Sequence, residues 1–217
     1  MILTLQPDFL PLATAELRRA APGARLTAEL APGVWRVALP DGFFPLAERW
    51  RRQPPIFVRH ICPVQVELSL AETTVAALPA PILAAVADLV DPDLSFSVQT
   101  RAFDTAVKPF DVNRPLADAL HAATGAPLDV RQPRQILSVV IHGETLFAGF
   151  SLAAHNLSDW AGGARRFARE KGQISRAEFK LLEALELFAV PLPPYGVALD
   201  LGAAPGGWTR VLQQREQ

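Results

Sequence analysis

A short stretch near the C-terminal end of the sequence combines the residue types of a ligand-binding turn. Residues 197–199 are strand formers that end at Asp200, small residues follow over positions 202–207, and Trp208 opens a helical pattern. A strand, a turn and a helix form the opening unit of a doubly wound α/β domain, which binds ligands at the carboxyl end of that strand. Glycine in the turn permits positive φ and close approach of a ligand to the backbone.

The spacing within this turn argues against two common nucleotide ligands. A phosphate-binding loop needs two glycines five positions apart and then a lysine; Gly202 and Gly207 fit, but Trp208 stands at the lysine position. The dinucleotide pattern also fails, because Ala204 occupies the place of its second glycine. A turn built for close approach without a triphosphate clamp suits a zwitterionic adenosyl ligand.

Residues 200–208 resemble motif I of the FtsJ/RrmJ-type RNA 2′-O-ribose methyltransferases, which bind S-adenosylmethionine (SAM). The resemblance implies that the turn holds the methionine part of SAM, that Trp208 walls the pocket, and that Asp200 binds the ammonium directly or through water. Two plainer interpretations stay open. The turn is an ordinary strand-to-helix turn, and Asp200 is a strand-end residue that caps it. The expected cofactor-binding residues of this turn are Asp200, Gly202, Ala203, Ala204, Pro205, Gly206, Gly207 and Trp208.

A second motif precedes the first by about 25 residues. Ser175 followed by Glu178 is a capping box, which predicts a helix that begins at Ser175. Residues 175–181 resemble the Ser-Arg-Ala-x-x-Lys-Leu entry helix of the same family. That resemblance implies that Ser175 contacts SAM and that Lys180 is the first member of a Lys-Asp-Lys-Glu catalytic set. Without the resemblance, Lys180 is a solvent-exposed lysine supported by Glu183.

The chemistry of the family explains why a lysine is needed. A ribose 2′-OH is a poor nucleophile at neutral pH, so a base or a cation must assist its deprotonation. A lysine can serve when burial or neighbouring positive charge lowers its pKa, and the sulfonium of SAM would contribute to both. The oxygen, methyl carbon and sulfur must then lie in line.

The segment between residues 159 and 180 is locally basic. It holds six cations and three anions, interleaved with Trp160 and Phe167. Such a segment is suited to hold a phosphate backbone and to stack a base, although a solvated amphipathic linker helix explains the pattern equally well. The expected RNA-binding residues are Arg165, Arg166, Arg169, Lys171 and Arg176.

Composition limits the remaining possibilities. The formal net charge of the 217 residues is −1, which excludes a globally basic nucleic-acid binder. Cys62 is the sole cysteine, so we expect no intrachain disulfide and a cytoplasmic protein. Neither a signal peptide nor a membrane-spanning run is recognisable. No metal site is expected, because His60 and Cys62 in a predicted strand are more typical of core packing than of ligation.

The first 66 residues predict the order β-α-β-β-α-β, which is ferredoxin-like. The turn residues 31–33 join the second and third strands. The predicted elements are a strand at 2–5, a helix at 8–20, strands at 25–30 and 34–39, a helix at 44–50 and a strand at 56–66.

A second α/β region follows and resembles the THUMP domain, an RNA-binding module, over roughly residues 70–155. Its predicted elements are a helix at 71–90 interrupted around Pro79 and Pro81, a strand at 94–101, a helix at 113–123 with Asn113 as N-cap and Pro115 in its first turn, and a hairpin of strands 136–141 and 145–152.

The fold class expected for the chain is α/β (α+β), in four regions. Residues 1–69 form a ferredoxin-like segment, 70–156 a THUMP-like RNA-binding domain, 157–174 a basic linker, and 175–217 the start of an incomplete Rossmann-like methyltransferase domain. This order is similar to that of the bacterial 23S ribosomal RNA ribose methyltransferases of the M type, which act on a cytidine 2′-OH. Because the later family residues have no counterpart, we expect an N-terminal portion that is inactive alone, with ribosomal RNA as its partner.

Three alternatives remain. The chain is an RNA-binding module without catalysis, or a different adenosyl or nucleotide enzyme whose first half is an oligomerisation scaffold. A haemolysin-like rRNA methyltransferase family shares the lysine motif, but normally carries Ser-Thr-Gly-Gly at the place of residues 204–207.

Overall fold

The computed structural model describes residues 1–165, 167 and 171–216. The chain divides into two compact units, Met1–Ala164 and Arg165–Gln217, and each is described by itself. The predicted mixed α/β class is confirmed, since the described residues contain two four-stranded sheets together with helices. Among these residues, no helix has the length and apolar character needed to cross a membrane.

The first sheet is antiparallel throughout, with the strand order β2-β3-β1-β4. Its core gathers the apolar faces of both helices, including Leu17 of α1 and Leu46 and Trp50 of α2. Its elements are β1 (Ile2–Leu5), α1 (Leu10–Ala20), β2 (Arg25–Ala31), β3 (Val34–Ala38), α2 (Phe43–Arg52) and β4 (Val58–Cys62).

The second sheet has the order β5-β8-β7-β6, in which only the β6–β7 pair is parallel. The helix α4 makes the crossover between these two strands and packs Leu116 and Leu120 into the core. Its elements are β5 (Val66–Ser69), α3 (Pro79–Val86), β6 (Phe96–Phe103), α4 (Pro109–Thr124), β7 (Gln135–His142) and β8 (Thr145–Leu152).

The prediction of one strand over residues 56–66 was wrong. The segment contains β4 and only the first residue of β5, and these two strands belong to different sheets. Pro63 lies between them, and its lack of an N–H prevents the strand ladder from continuing. The backbone at Pro63 passes so close to β8 that a Cβ on Gly149 would lie 2.3 Å from the Pro63 carbonyl oxygen.

Prolines also displaced two predicted helix starts. The helix α3 begins at Pro79 and is not interrupted there, because Pro79 and Pro81 occupy its first turn, where a missing N–H costs nothing. The helix α4 begins at Pro109 with Lys108 as N-cap, so Asn113 is not its cap and Pro115 lies inside it. The preference of asparagine for N-caps was overridden by Pro109, which suits the first turn of a helix, and by the burial of Val112.

The second unit contains α5 (Ala177–Leu187) and α6 (Gly207–Gln214) among its described residues. The strand predicted before motif I is not formed: residues 196–200 have no regular secondary structure. The side chains of Val197 and Leu199 are 101% and 81% exposed. A strand is stabilised by cross-strand partners, and the described residues supply none here, so strand-forming composition alone did not produce one.

Candidate functional site

The two predicted motifs meet in the second unit, at the start of α5 and the start of α6. The indole Nε1 of Trp208 donates a hydrogen bond of 2.8 Å to the carbonyl oxygen of Ala177. One turn away, the guanidinium of Arg210 donates to the Glu178 carboxylate at 2.6 Å. Segments about 30 residues apart in the sequence therefore form one local structure.

Glu178 is the buried centre of this structure. Its side chain is 3% exposed, and Oε1 accepts the N–H groups of Ile174 at 2.6 Å and Ser175 at 3.2 Å. Burial alone raises the pKa of this carboxyl, but these two N–H groups and Arg210 outweigh burial, so the pKa of Glu178 lies below its ordinary value. The ionised carboxylate holds the loop before α5 against α6.

The predicted capping box is present only in part. The helix begins at Ala177 with Arg176 as N-cap, not at Ser175. Glu178 makes the expected bond to the Ser175 N–H, whereas the Ser175 hydroxyl accepts the N–H of Ala177 at 3.3 Å. Because Glu178 also binds Ile174 and Arg210, its role extends beyond a helix cap.

Ser175 lies directly against the glycine turn. A Cβ on Gly207 would lie 2.5 Å from the Ser175 Oγ and 3.2 Å from the Cγ of Glu178, so any larger residue would displace these two side chains. Gly206 immediately before it has φ +102° and Gly202 has φ +77°, which a side chain would strain. The three glycines thus meet separate structural demands of one turn.

The remaining predicted residues of the turn are open to solvent. Gly202, Ala204 and Pro205 are exposed, Ala203 and Gly206 are half-buried, and Trp208 is 42% exposed. A ligand can therefore reach the backbone of the turn directly, with the Trp208 ring fixed at one side by its bond to α5.

Asp200 is half-buried and accepts a 2.7 Å hydrogen bond from the Thr209 hydroxyl. The bond uses Oδ2 and connects the residue before the turn to the helix after it. This contact fits the plainer interpretation of Asp200 as a residue that caps the turn, and it leaves Oδ1 for a ligand.

Lys180 is exposed on α5. It lies three residues after Ala177, so the two positions share a helix face, and Ala177 is the residue that the Trp208 indole contacts. Glu178, whose side chain contacts α6, lies two residues before Lys180, so the two side chains leave α5 roughly 200° apart, on opposite sides of the helix.

The predicted basic segment is only partly described. Arg166 and Arg169 lie outside the described residues. Arg165 forms an ion pair with Glu186, while Lys171 and Arg176 are exposed. The Phe167 ring, which was predicted to stack a base, stacks on Phe179 with centroids 5.8 Å apart.

Sequence reasoning missed Thr209 and Arg210, which hold Asp200 and Glu178. Arg210 carried no usable signal, because its partner lies 32 positions earlier. A weaker signal existed for Thr209, since a hydroxyl nine residues after an aspartate across a tight turn can reach back to it.

A separate polar cluster is buried between the two sheets of Met1–Ala164. It contains His60 and Cys62 of β4, Arg101 of β6 and Ser138 of β7. Burial, aided by the charge of Arg101, lowers the pKa of His60 to about 3. Arg101 donates to the Thr4 hydroxyl at 2.9 Å. The described residues contain no group of three or more His, Cys, Asp or Glu side chains placed to hold a metal ion.

Comparison with known proteins finds a match for most of the second unit. Residues 173–217 match the FtsJ-like methyltransferase family. The ribosomal RNA large subunit methyltransferase E of Alcanivorax borkumensis is 55% identical over 47 residues, which cover 22% of this chain and 22% of that protein. The resemblance predicted from the two motifs is therefore confirmed over this part of the chain.

A longer match links the chain to a second group of relatives. The ribosomal RNA large subunit methyltransferase M of Ectopseudomonas mendocina is 37% identical over 123 residues, or 54% of this chain. The match covers 34% of that relative, so the chain spans about a third of its length. This confirms the predicted resemblance to the M-type enzymes.

The fold also has a counterpart among solved structures. The crystal structure of TrmN from Thermus thermophilus matches 72% of this chain and 46% of its own, with a TM-score of 0.57 and 24% sequence identity. At this identity the likeness concerns the fold alone.

Proposed function

We propose that the chain belongs to a SAM-dependent RNA methyltransferase that modifies a ribose 2′-OH of large-subunit ribosomal RNA, a cytidine of 23S rRNA. The approach of Ser175 and Glu178 to the Gly206–Gly207 turn carries this proposal, because it joins both motifs into one pocket wall. The names of the relatives supply the substrate class: they are ribosomal RNA large subunit methyltransferases.

The residues present fit the methionine part of SAM. Residues 202–207 carry no side chain larger than that of proline, so a ligand can approach the exposed part of their backbone closely, and Gly207 allows Ser175 to lie against the turn. Ser175 would contact the amino-acid end of the cofactor, Asp200 would accept its ammonium through Oδ1, and Trp208 would limit the pocket. When bound, SAM supplies the methyl group and a positive sulfonium.

Lys180 is the proposed catalytic residue. Its ammonium would lie near the ribose hydroxyl, assist loss of the 2′-OH proton and stabilise the developing oxyanion. The helix α5, fixed by Glu178 to α6, would set the distance between this amine and the cofactor turn.

The domain assignment is part of the proposal. Residues 1–69 form the ferredoxin-like segment, 70–156 the THUMP-like domain, 157–174 the linker and 175–217 the first elements of a Rossmann-like domain. The last four residues of the first region form β5, which pairs with β8 of the second sheet. The strand order β2-β3-β1-β4 supports the first assignment. A cytoplasmic location follows from ribosomal RNA as substrate.

A second candidate function is an RNA-binding module with no catalysis of its own. The exposure of Val197 and Leu199 favours it for this chain alone, because the strand that should support motif I is not formed.

The test is an assay of the complete protein with unmodified 23S rRNA and SAM, followed by nucleoside mass spectrometry. Formation of 2′-O-methylcytidine supports the first function. Tight RNA binding without any methylated nucleoside supports the second. A base-methylated product would contradict the proposed 2′-OH chemistry.

A further inference from the structure

The basic residues of Met1–Ala164 are unevenly distributed between its two sheets. Residues 1–59 contain eight arginines and five carboxylates, whereas residues 70–156 contain five cations and nine carboxylates. Since phosphate attraction dominates RNA affinity, the first sheet is the electrostatically favourable one for RNA. The THUMP-like region is acidic.

The carboxylates near the basic side are already engaged by the protein. Glu16 accepts the N–H groups of Ile56 and Phe57 at 2.9 Å each. Glu48 accepts Arg51 and His155, and Glu29 accepts the N–H of Gly33. Arg51 is paired with Glu48 and Arg36 with Glu67, whereas Arg18, Arg19, Arg52 and Arg59 form no ion pair among the described residues.

The C-terminal ends of α1 and α2 bring many of these arginines together. Arg49, in the last turn of α2, donates to the carbonyl oxygen of Ala20, the last residue of α1. Arginines at the C-terminal end of a helix also complement the helix dipole, and this accounts for the position of one or two of these arginines. The exposed arginines in the last turns of the two helices are Arg18, Arg19, Arg49, Arg51 and Arg52.

Two grooves meet beside these helix ends. The first, of about 460 Å³, is lined by Arg19, Arg49 and Ile56 among others. The second, of about 310 Å³, is lined by Gln6, Phe9, Ile56, Phe57 and Arg59. Because Ile56 lines both, they form one continuous surface, which we call the arginine–phenylalanine groove.

The aromatic part of the groove is exposed and fixed in place. The rings of Phe9 and Phe57 lie 5.4 Å apart, Phe9 is 45% exposed and Ile56 is 82% exposed. The two bonds from Glu16 hold the backbone of Ile56 and Phe57. An exposed aromatic ring between guanidinium groups suits an unstacked base with phosphates on either side.

We propose that the arginine–phenylalanine groove binds an unpaired segment of the substrate RNA. A base stacks on Phe9 beside Ile56, and Arg19 and Arg59 contact the phosphates on either side. The inference rests on ribosomal RNA as the partner and assigns the contact to the first sheet.

The test measures fluorescence anisotropy of a short fluorescein-labelled uridine oligonucleotide with the whole chain. Phe9→Ala should weaken binding about 5- to 150-fold, the range of one lost base–aromatic stack. Arg19→Ala/Arg59→Ala should weaken binding and lower the slope of log K against log salt by roughly 0.7 for each lost contact. A duplex of the same length should bind less tightly than the single strand.

Matched controls separate the outcomes. Arg131→Ala/Arg134→Ala removes the same charge from exposed positions of the THUMP-like region, the other candidate for RNA binding in this unit, and should weaken binding less than Arg19→Ala/Arg59→Ala. If both double variants lose affinity equally, or neither does, the groove is not the contact, although RNA stays the partner. If the parent chain binds no RNA, the proposed function fails with it. If Phe9→Ala loses duplex and single-strand binding equally, the proposed stacking of a base on Phe9 is contradicted.

Discussion

The guanidinium of Arg210 donates to Glu178 across the two motifs of the candidate site, at 2.6 Å and with the carboxylate almost wholly buried. The same carboxylate accepts the N–H groups of Ile174 and Ser175. One ionised group therefore links the loop before α5 to the helix after the glycine turn, and the position of Ser175 depends on it.

Glu178→Gln should weaken this link and remove its pH dependence. A carboxyl whose pKa is lowered in the folded state stabilises that state fully above its unfolded pKa, near 4.5, and progressively less as pH falls through the folded pKa. Hydrogen exchange of residues 174–210, corrected for intrinsic rates, should show protection that falls below about pH 4.5 in the parent chain. The variant should be less protected at neutral pH and should lack this acid transition.

Glu183→Gln on the same helix is the control and should retain the parent's acid transition. A Glu178→Gln chain with unchanged protection at pH 7 would show that Glu178 does not hold the two motifs together.

Thr4→Val should destabilise Met1–Ala164 by about 1–3 kcal/mol, because it removes the acceptor of the buried Arg101 guanidinium. Urea unfolding followed by intrinsic fluorescence measures the change. Thr27→Val is the matched control, since its hydroxyl bonds the Arg36 carbonyl at an exposed position of β2. Equal effects of the two substitutions would mean that the Thr4–Arg101 contact contributes nothing specific.

Lys180→Ala in the complete protein should lower kcat for methyl transfer by roughly 10²–10⁴-fold, the usual range for a general acid–base residue. Its affinity for SAM should stay near that of the parent, because the role proposed for the amine is at the ribose hydroxyl. Quench-flow assays and calorimetry give the two quantities, and Glu183→Gln again serves as control. A variant that loses SAM affinity in proportion to kcat would assign Lys180 to binding.

Patterns within short stretches of the sequence predicted the first sheet well. They failed where contacts with residues distant in the sequence determine the secondary structure. The turn at Gly33 and the hairpin at Gly143 were predictable because positive φ is a property of one residue. Pro63 was visible in the sequence, but the sequence did not indicate that it separates two sheets. The start of α4 lies at Pro109, four residues before Asn113, and the turn that Pro109 begins buries Val112.

Some features of the candidate site were likewise predictable from the sequence and others were not. Ser175 and the glycines were identified from a string of residue types, and the structure brings them together. The Glu178–Arg210 contact spans 32 positions and could not be read from spacing. The strand before Asp200 failed because strand formation at residues 196–200 depends on partner strands, which local composition does not specify.

Saturation-transfer NMR with SAM tests the central claim most directly, because it detects weak binding and reports which part of the ligand touches the protein. With this chain, the methionine methylenes and the S-methyl group should receive more saturation than the adenine protons. Gly207→Val, whose side chain would collide with Ser175, should abolish the effect, and Gln213→Ala at an exposed position of α6 should leave it intact. Saturation confined to adenine, or none at all, would contradict the assignment of the turn to SAM.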